Sequence, residues 1–428
     1  MSQYTEYKDS GIPWIGVIPK DWEIRKNRHL FWRVKNIVGN DELSYPVLSL
    51  SINGVIEKDR EDNSGKIPAV YANYYQIIKT GNLLLCLFDM DVTPCLVGYI
   101  EKTGIISPAY SYFEPLKKGT VYPKYYYYWY LRMHKDNLFI PLSNNVRSSI
   151  NNDDFKEIVA PCPPLKMQKN IADYLDTKTS AIDTLIADKE NFIGLLKEKR
   201  QAIIRETITK GLNKKTRMKD SGVEWIGEIP EEWEVITVSK VCNVIRGASP
   251  RPAGDPLFFN GNDIPWITVA EVTKGDDLYL YETESYLTLL GKEKSRYIEP
   301  ETLLLSNSGA TLGVPKITKI AGCINDGSVA FTNLSVNQLF LLYVFKSLTF
   351  ELRRQMQGYG QPNLNTTIIK NIVIPNPALA EQEEIVESLH IRTTKIDSII
   401  SDIQSQIEKL KEYRQSVISE VVTGKVAI

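Results

Sequence analysis

A long sequence repeated within itself constrains this chain more than any other feature. Lys8–Glu23 reads KDSGIPWIGVIPKDWE and returns 211 residues later as KDSGVEWIGEIPEEWE at Lys219–Glu234. Ile182–Leu212, IDTLIADKENFIGLLKEKRQAIIRETITKGL, returns at a register of 214 as IDSIISDIQSQIEKLKEYRQSVISEVVTGKV at Ile396–Val426. Repeats of this size set an architecture before any single motif does. At 428 residues the chain also exceeds one hydrophobic core and suits two domains with their connections. Each half is expected to be a globular body followed by a long helix. The divisions fall at 1–164 for the first body, 165–212 for a central helix, 213–377 for the second body and 378–428 for a C-terminal helix.

Charge leaves the partner open. A net charge of −1 and a pI near 6.4 argue neither for nor against nucleic acid, since only a local basic face would matter. Five cysteines (Cys86, Cys95, Cys162, Cys242, Cys323) in no CxxC spacing, with three histidines, argue against zinc or a disulfide framework and for a reducing compartment. No signal-peptide core and no run of 18 apolar residues is present, so a cytoplasmic protein without a membrane partner is expected.

From Leu165 to Leu212 there is no proline, and such a helix needs a partner. Ile396, Ile400, Ile403, Ile407, Leu410, Val417 and Val421 step by fours and threes, the rhythm of a coiled-coil seam, interrupted at Arg414. The first copy keeps the seam at Ile182, Ile186, Ile193, Leu196 and Ile203, with Lys189 and Arg200 as interruptions. Matching seams in one chain can pair, and the intervening body makes an antiparallel pair easy to reach. The alternative is that each helix only covers its neighbouring body. Similar residues away from the seam, Asp183/Asp397, Lys197/Lys411, Glu198/Glu412 and Gln201/Gln415, suggest one outer surface offered twice to two copies of one partner.

The bodies read as β-rich and irregular, with short apolar runs at Tyr45–Ile52, Leu83–Phe88, Pro265–Val269 and Thr302–Leu305 broken by Gly, Pro, Asn and Asp. They differ strongly from each other while their flanks agree, as expected of a fixed frame carrying two readers. Proline hinges, Pro161–Pro164 and Pro375–Pro377, close each half before Gln168 or Gln382 opens the helix. The fold class is therefore α+β, two β-rich bodies alternating with two long helices in a pseudo-twofold repeat. That symmetry also expects Asp9 beside the end of the second helix, near Ala427.

Four of the seven tryptophans (Trp14, Trp22, Trp225, Trp233) lie in the repeated Trp-Ile-Gly-x-Ile-Pro-x-x-Trp segments, where indoles on an extended turn pin a body to its neighbour. Tyr125–Arg132 reads as a helix with one core face, although stacking on bases is the other use of such a run. Asn307-Ser-Gly-Ala-Thr-Leu-Gly313 lacks the Lys-Ser/Thr of a phosphate loop. It is either a hairpin turn or a loop whose Asn307, Ser308 and Thr311 approach a polynucleotide. Arg246-Gly-Ala-Ser-Pro-Arg-Pro252 offers Arg246, Ser249 and Arg251 to phosphates or guanine edges. Tyr359–Asn365 (Gln361, Asn363, Asn365) and, at the matching place, Ser143–Ser149 (Asn144, Asn145, Arg147, Ser148) carry side chains that read adenine and guanine, and both are equally plain turns. No cofactor loop, no Asn/Asp-Pro-Pro-aromatic motif and no carboxylate–lysine cluster of a nuclease is present; Asn376-Pro-Ala is only a near miss.

Two diverged bodies, each opening on DSGxxWIGxIPxxWE and closing on an IDxLI…KxxRQxxIxExxTxG helix, resemble the specificity subunit of type I restriction–modification systems over essentially the whole chain. Blocks Gly81–Asp91 with Ile105–Tyr110, and Leu303–Gly313 with Ile324–Gly327, resemble those inside the family's target-recognition domains, which adds Tyr110 to the contact candidates. Phe88-Asp-Met-Asp91 departs from the glycine-containing turn at Asn307–Gly313, leaving open whether both bodies use the same loop. The resemblance implies a non-catalytic subunit without cofactor or metal of its own. Each body would read half of a split site in double-stranded DNA, and the helices would hold the halves apart and dock two modification subunits. Those partners would carry S-adenosylmethionine and methylate adenine N6 after base flipping, and restriction subunits would add ATP- and Mg-dependent translocation and cleavage. Other classes that fit are a helical scaffold joining two domains that do not bind DNA and, disfavoured by the missing cofactor motifs, a self-sufficient methyltransferase.

Overall fold

The computed structural model describes residues 4–39, 44–52, 54–58, 74–143, 148–309, 311–355 and 364–428. Two helices dominate, Leu165–Lys210 and Leu379–Val422, uninterrupted because no proline stands between their first turns and the glycines beyond their ends. The chain divides into two compact units, each cutting both helices: Met1–Glu190 with Gln404–Ile428, and Asn191–Ile403.

In the first unit the start of the first helix runs antiparallel to the end of the second. Arg414 grips Asp183 with both arms of its guanidinium, Nε to Oδ1 at 2.8 Å and Nη2 to Oδ2 at 3.1 Å, and Lys189 donates to Gln406 Oε1 at 2.6 Å. The second unit has the same sense: Arg200 Nη1 meets Asp397 Oδ1 at 2.5 Å and Arg392 donates to Thr207 Oγ1 at 3.2 Å. At the register of 214, Arg200 corresponds to Arg414 and Asp397 to Asp183. The arginines that break the apolar rhythm are thus reciprocal cross-helix ties, fixing a register that an apolar seam leaves free to slide. Arg200 also holds Asp276 of its body, at 2.9 Å, and the neighbouring Lys346 ammonium is pushed down to about 8 by burial and by that guanidinium.

The seam is buried within the chain at Ile182, Ile407 and Val417 in the first unit and at Leu196, Ile396, Ile400 and Ile403 in the second. Ile186, Leu410, Ile193 and Ile203 are half-buried. Beyond Leu196 the innermost positions of the first helix move to Ile204 and Ile208, which join the core of the second body.

Each body is built around one antiparallel sheet in the same order. In the first unit the neighbours run Phe31–Val34, Ser111–Pro115, Leu83–Leu85 and Val97–Tyr99. In the second they run Asn243–Arg246, Ser328–Thr332, Thr302–Ser306 and Pro315–Thr318, with Tyr279–Leu280 added parallel at the edge. A second sheet in the second body runs Tyr286–Leu287, Phe259–Ile267, Gly322–Ile324 and Arg296–Ile298, and the first body has its counterpart in two strand pairs, Gly54–Glu57 with Leu48–Ser51 and Gly104–Ile106 with Gln76–Ile78, joined by a parallel bridge from Val47 to Ile105. The tyrosine run forms the helix Pro123–Lys135, burying Tyr125, Tyr126, Tyr128, Trp129 and Tyr130 in the core, so it packs and does not stack on bases.

The expected proline hinges are edge strands. Val159–Cys162 pairs with Glu23–Lys26, and Val373–Asn376 with Glu234–Thr237, so both ends of each body leave side by side. Proline is tolerated there because an edge strand has a face that needs no N–H. The glutamine that opens each long helix then staples three pieces together. Gln382 accepts from Asn337 N and donates to Pro377 O, both at 2.8 Å; Gln168 accepts from Tyr122 N and donates to Pro163 O, both at 2.8 Å. Both glutamines are buried, and replacing one strands two backbone groups. At about 1–3 kcal/mol for each group left unpaired, Gln382→Ala should destabilise by roughly 2–6 kcal/mol in urea unfolding. A loss below about 0.5 kcal/mol, within the range of ordinary surface changes, would show that the staple is incidental.

The tryptophans pin bodies to helix ends, as expected. Trp22 and Trp233 are buried, and they press on Gly424 and Gly211, whose φ values of 72° and 69° turn the chain out of the two helices. Tyr7 donates to the Lys425 carbonyl at 3.3 Å, setting the N-terminal strand pair against the end of the second helix.

Candidate nucleic-acid interface

In the second body three segments converge where the strands Asn243–Arg246, Thr302–Ser306 and Ser328–Thr332 meet their loops. Asn307 N donates to Gly327 O at 2.9 Å, Gly247 N to Ser328 O at 2.9 Å and Ala248 N to Ile324 O at 3.0 Å. Gly247 lies so close to the Asn325 carbonyl that a Cβ there has no room. The result is one surface made of the 246–252 loop, the 307–313 loop and the turn Asn325–Gly327.

Side chains on it are polar and tied together. Arg246 and Arg251 are exposed. Arg246 Nε donates to the Asp326 carbonyl at 3.3 Å, Ser249 Oγ to Asp326 Oδ1 at 2.6 Å, and Arg251 Nη2 lies 3.5 Å from Oδ2. Thr311 is exposed and Ser308 half-buried. The loop they stand on is a hairpin connection held from inside: Ser306 Oγ donates to Thr311 O at 2.7 Å and accepts from Val314 N at 2.8 Å. The loop is therefore a hairpin connection, with the Thr311 and Ser308 side chains standing on it.

Asn307 lies beneath this surface and not on it. It is fully buried, and neither end of its amide has a hydrogen-bond partner among the described residues; the same holds for Asn325 Oδ1 and Ser328 Oγ nearby. Asn365 caps the helix Thr366–Lys370, its Oδ1 accepting from Ile368 N at 2.9 Å, so that oxygen is already engaged. Gln361 and Asn363 lie outside the described residues, as do Asn144, Asn145 and Arg147 of the first body.

The first body repeats the backbone plan with different chemistry. Ile150 N donates to Leu87 O at 2.9 Å, as Leu364 N donates to Asn307 O at 2.8 Å, and Asn151 caps a helix as Asn365 does. The loop after the central strand is thus in the same place in both bodies. In the first it carries exposed Phe88 and Asp91, with Leu87 where the second has Asn307. Ser148, at φ 43°, receives Met90 N on its carbonyl at 3.2 Å, which joins the Asn-rich segment to that loop. Tyr110 is half-buried, its carbonyl bonded by Gln76 Nε2 at 2.6 Å and its hydroxyl pushed up in pKa by burial.

Asp326 was not singled out by its sequence, although it stands in the Ile324–Gly327 block. An Asp-Gly dipeptide between two strands is a turn signal, and only the tertiary fold brings it to the arginine loop.

The helix surfaces require one correction. Of the residues expected on an outer face, Asp183 and Asp397 are exposed but engaged in the cross-helix ties, and the half-buried glutamines turn to the bodies, Gln201 donating to Lys346 O at 2.7 Å and Gln415 to Asp136 Oδ1 at 3.2 Å. Repeated and exposed away from these ties are Lys197/Lys411, Glu198/Glu412 and the apolar pair Leu185/Ile399. Among the described residues no helix is long and apolar enough to cross a membrane.

Comparison with known proteins agrees with this plan. The family described as type I restriction modification DNA specificity domain matches residues 53–193 and 230–409. The MjaVIII specificity subunit of a type I restriction enzyme from Methanocaldococcus jannaschii is 25% identical over 429 residues, 96% of this chain and 94% of that one. A structure described as the structural basis underlying complex assembly and conformational transition of the type I R-M system has a TM-score of 0.73 at 15% identity, covering 96% of this chain and 99% of that one. The HsdS subunit from Thermoanaerobacter tengcongensis has a TM-score of 0.51 at 16% identity, covering 96% and 98%. With the family matched twice, over the stretches that carry the loops and the paired helices, the chain belongs to the type I restriction–modification DNA specificity family and is a specificity subunit, not an enzyme in itself.

Proposed function

We propose that the chain reads a bipartite site in double-stranded DNA, one half with each body, and docks two adenine-N6 methyltransferase subunits on its helices. The observation that carries this reading is a frame held twice by the same contacts, Gln168 and Gln382, Trp22 and Trp233, Arg414 and Arg200, around loops whose chemistry differs. A frame under such constraint with unlike loops is suited to reading two sequences in one geometry. Reading falls to Arg246, Ser249, Arg251, Ser308 and Thr311 in the second body, and to Ser148, Tyr110 and the Asn-rich segment in the first. The repeated exposed set Leu185/Ile399, Lys197/Lys411 and Glu198/Glu412 offers two like surfaces to two like partners. S-adenosylmethionine, ATP and Mg belong to those partners and to restriction subunits joined through them, and the assembly acts in the cytoplasm.

Native mass measurement of the chain with its modification subunits should give two of them per chain, and the assembly, not the isolated chain, should transfer methyl groups to adenines of a split motif. One bound subunit, or a motif without a gap, would sink the reading.

A further inference from the structure

We infer that Asp326 is a specificity-determining residue of the second body: its carboxylate occupies the place of a DNA phosphate against Arg251 and Ser249 and so suppresses binding to unrelated DNA. The inference rests on the reading of the bodies as DNA readers and adds a discriminating role that the contact residues themselves do not supply.

The geometry is that of an anion site filled from within. One carboxylate oxygen takes the Ser249 hydroxyl at 2.6 Å and the other faces Arg251 Nη2 at 3.5 Å, while Arg246 is turned to the carbonyl of the same residue at 3.3 Å. A hydroxyl and a guanidinium on two oxygens of one anion are also what a DNA backbone phosphate receives. The acid cannot readily swing away, because its turn is sewn down on three sides: Asp326 N to Ser249 Oγ at 3.4 Å, Ser328 N to Asn325 O at 3.1 Å and Asn307 N to Gly327 O at 2.9 Å.

The contact is nevertheless weak. The Arg251 side chain is 71% exposed and that of Asp326 43%, and pairs so exposed contribute little. A weak, fixed counter-anion opposes DNA in proportion to how little else the DNA offers. On unrelated sequence nearly all the binding is phosphate attraction, and a carboxylate facing the arginine cancels about one such contact. On the proper site, base-edge bonds remain to displace it. The equivalent turn of the first body has no such acid: in Ile106-Ser-Pro-Ala-Tyr110 against Ile324-Asn-Asp-Gly-Ser328, Pro108 stands where Asp326 does.

The test uses the chain assembled with its modification subunits and two duplexes of equal length, one carrying the motif mapped by methylation and one of unrelated sequence. Asp326→Asn should raise affinity for the unrelated duplex by about tenfold near 0.1 M salt, steepen its salt dependence by about one phosphate and raise affinity for the motif less. Adding Arg251→Gln to Asp326→Asn should return unrelated binding to the wild-type level. An unfolding midpoint checks that the variant is intact; if it is not, Asp326→Ala, which also removes the carboxylate, should show the same rise. Unchanged affinity and salt slope for the unrelated duplex in the folded variant, or in Asp326→Ala where that is used, would overturn the inference while leaving the functional reading intact. A wild-type assembly that does not prefer the motif would instead remove the functional reading.

Discussion

A chain carrying its second body twice, with 238–372 in place of 27–158, is expected to direct methylation to a site whose two halves carry one and the same sequence. The exchange points come from the frame. Each body leaves through a pair of adjacent strands, and just inside them Asn27 N bonds Ile158 O and Val238 N bonds Ile372 O, both at 2.9 Å. The transplanted body brings Asn337, Lys346 and Asp276. In its own unit these meet Gln382, Gln201 and Arg200; in the other they would meet the equivalent Gln168, Gln415 and Arg414. In each unit a body sits where one long helix begins and the other ends, held by equivalent contacts, so the same reader in both places should read the same bases. Methylation mapped genome-wide in a strain carrying the altered gene with its partners decides the matter. The half assigned to the first body should disappear, the other should occur twice, and survival of the original first half would show that the bodies do not read independently.

Much of this frame is legible in the chain itself, because a repeat reports on contacts that are made twice. The seam isoleucines, the pinning role of Trp22 and Trp233 and the placing of the Asp9 segment beside the end of the second helix follow from segments that recur. What recurrence does not show is direction. Asp183, Asp397, Gln201 and Gln415 recur as faithfully as Lys197 and Lys411, yet they face a helix or a body, since similarity marks a shared constraint without saying from which side it comes. The site was harder to read for a related reason. Its residues are those that do not recur, so composition alone placed Asn307 and Asn365 on the surface, where depth and a helix N-cap claim them. Asp326 gains its partners from a loop 75 residues away, and no local pattern announces such a meeting.

Among methyl groups added at Gly11, Gly211 and Gly424, the one at Gly424 should cost the most stability. Three glycines share nearly the same backbone, Gly11 at φ 71°, Gly211 at 69° and Gly424 at 72°, a conformation that costs an alanine about 1–2 kcal/mol at any of them. They differ in what a Cβ would meet. At Gly11 there is open space, at Gly211 the Trp233 ring stands 3.1 Å away, and at Gly424 Pro19 Cγ stands 2.7 Å away with Trp22 at 3.1 Å. The Pro19 ring is rigid and Trp22 is buried in the core, so neither can yield, and overpacking there adds about 1–3 kcal/mol. Urea unfolding should therefore rank the variants Gly11→Ala, Gly211→Ala, Gly424→Ala, with losses of roughly 1, 2 and at least 3 kcal/mol. Equal losses at all three would mean that the tryptophan segments do not bear on the helix ends. The ranking also tests why Gly and Trp are repeated together: a helix end that leaves no room for a side chain fixes where the N-terminal strand pair docks, and with it the position of the body that follows.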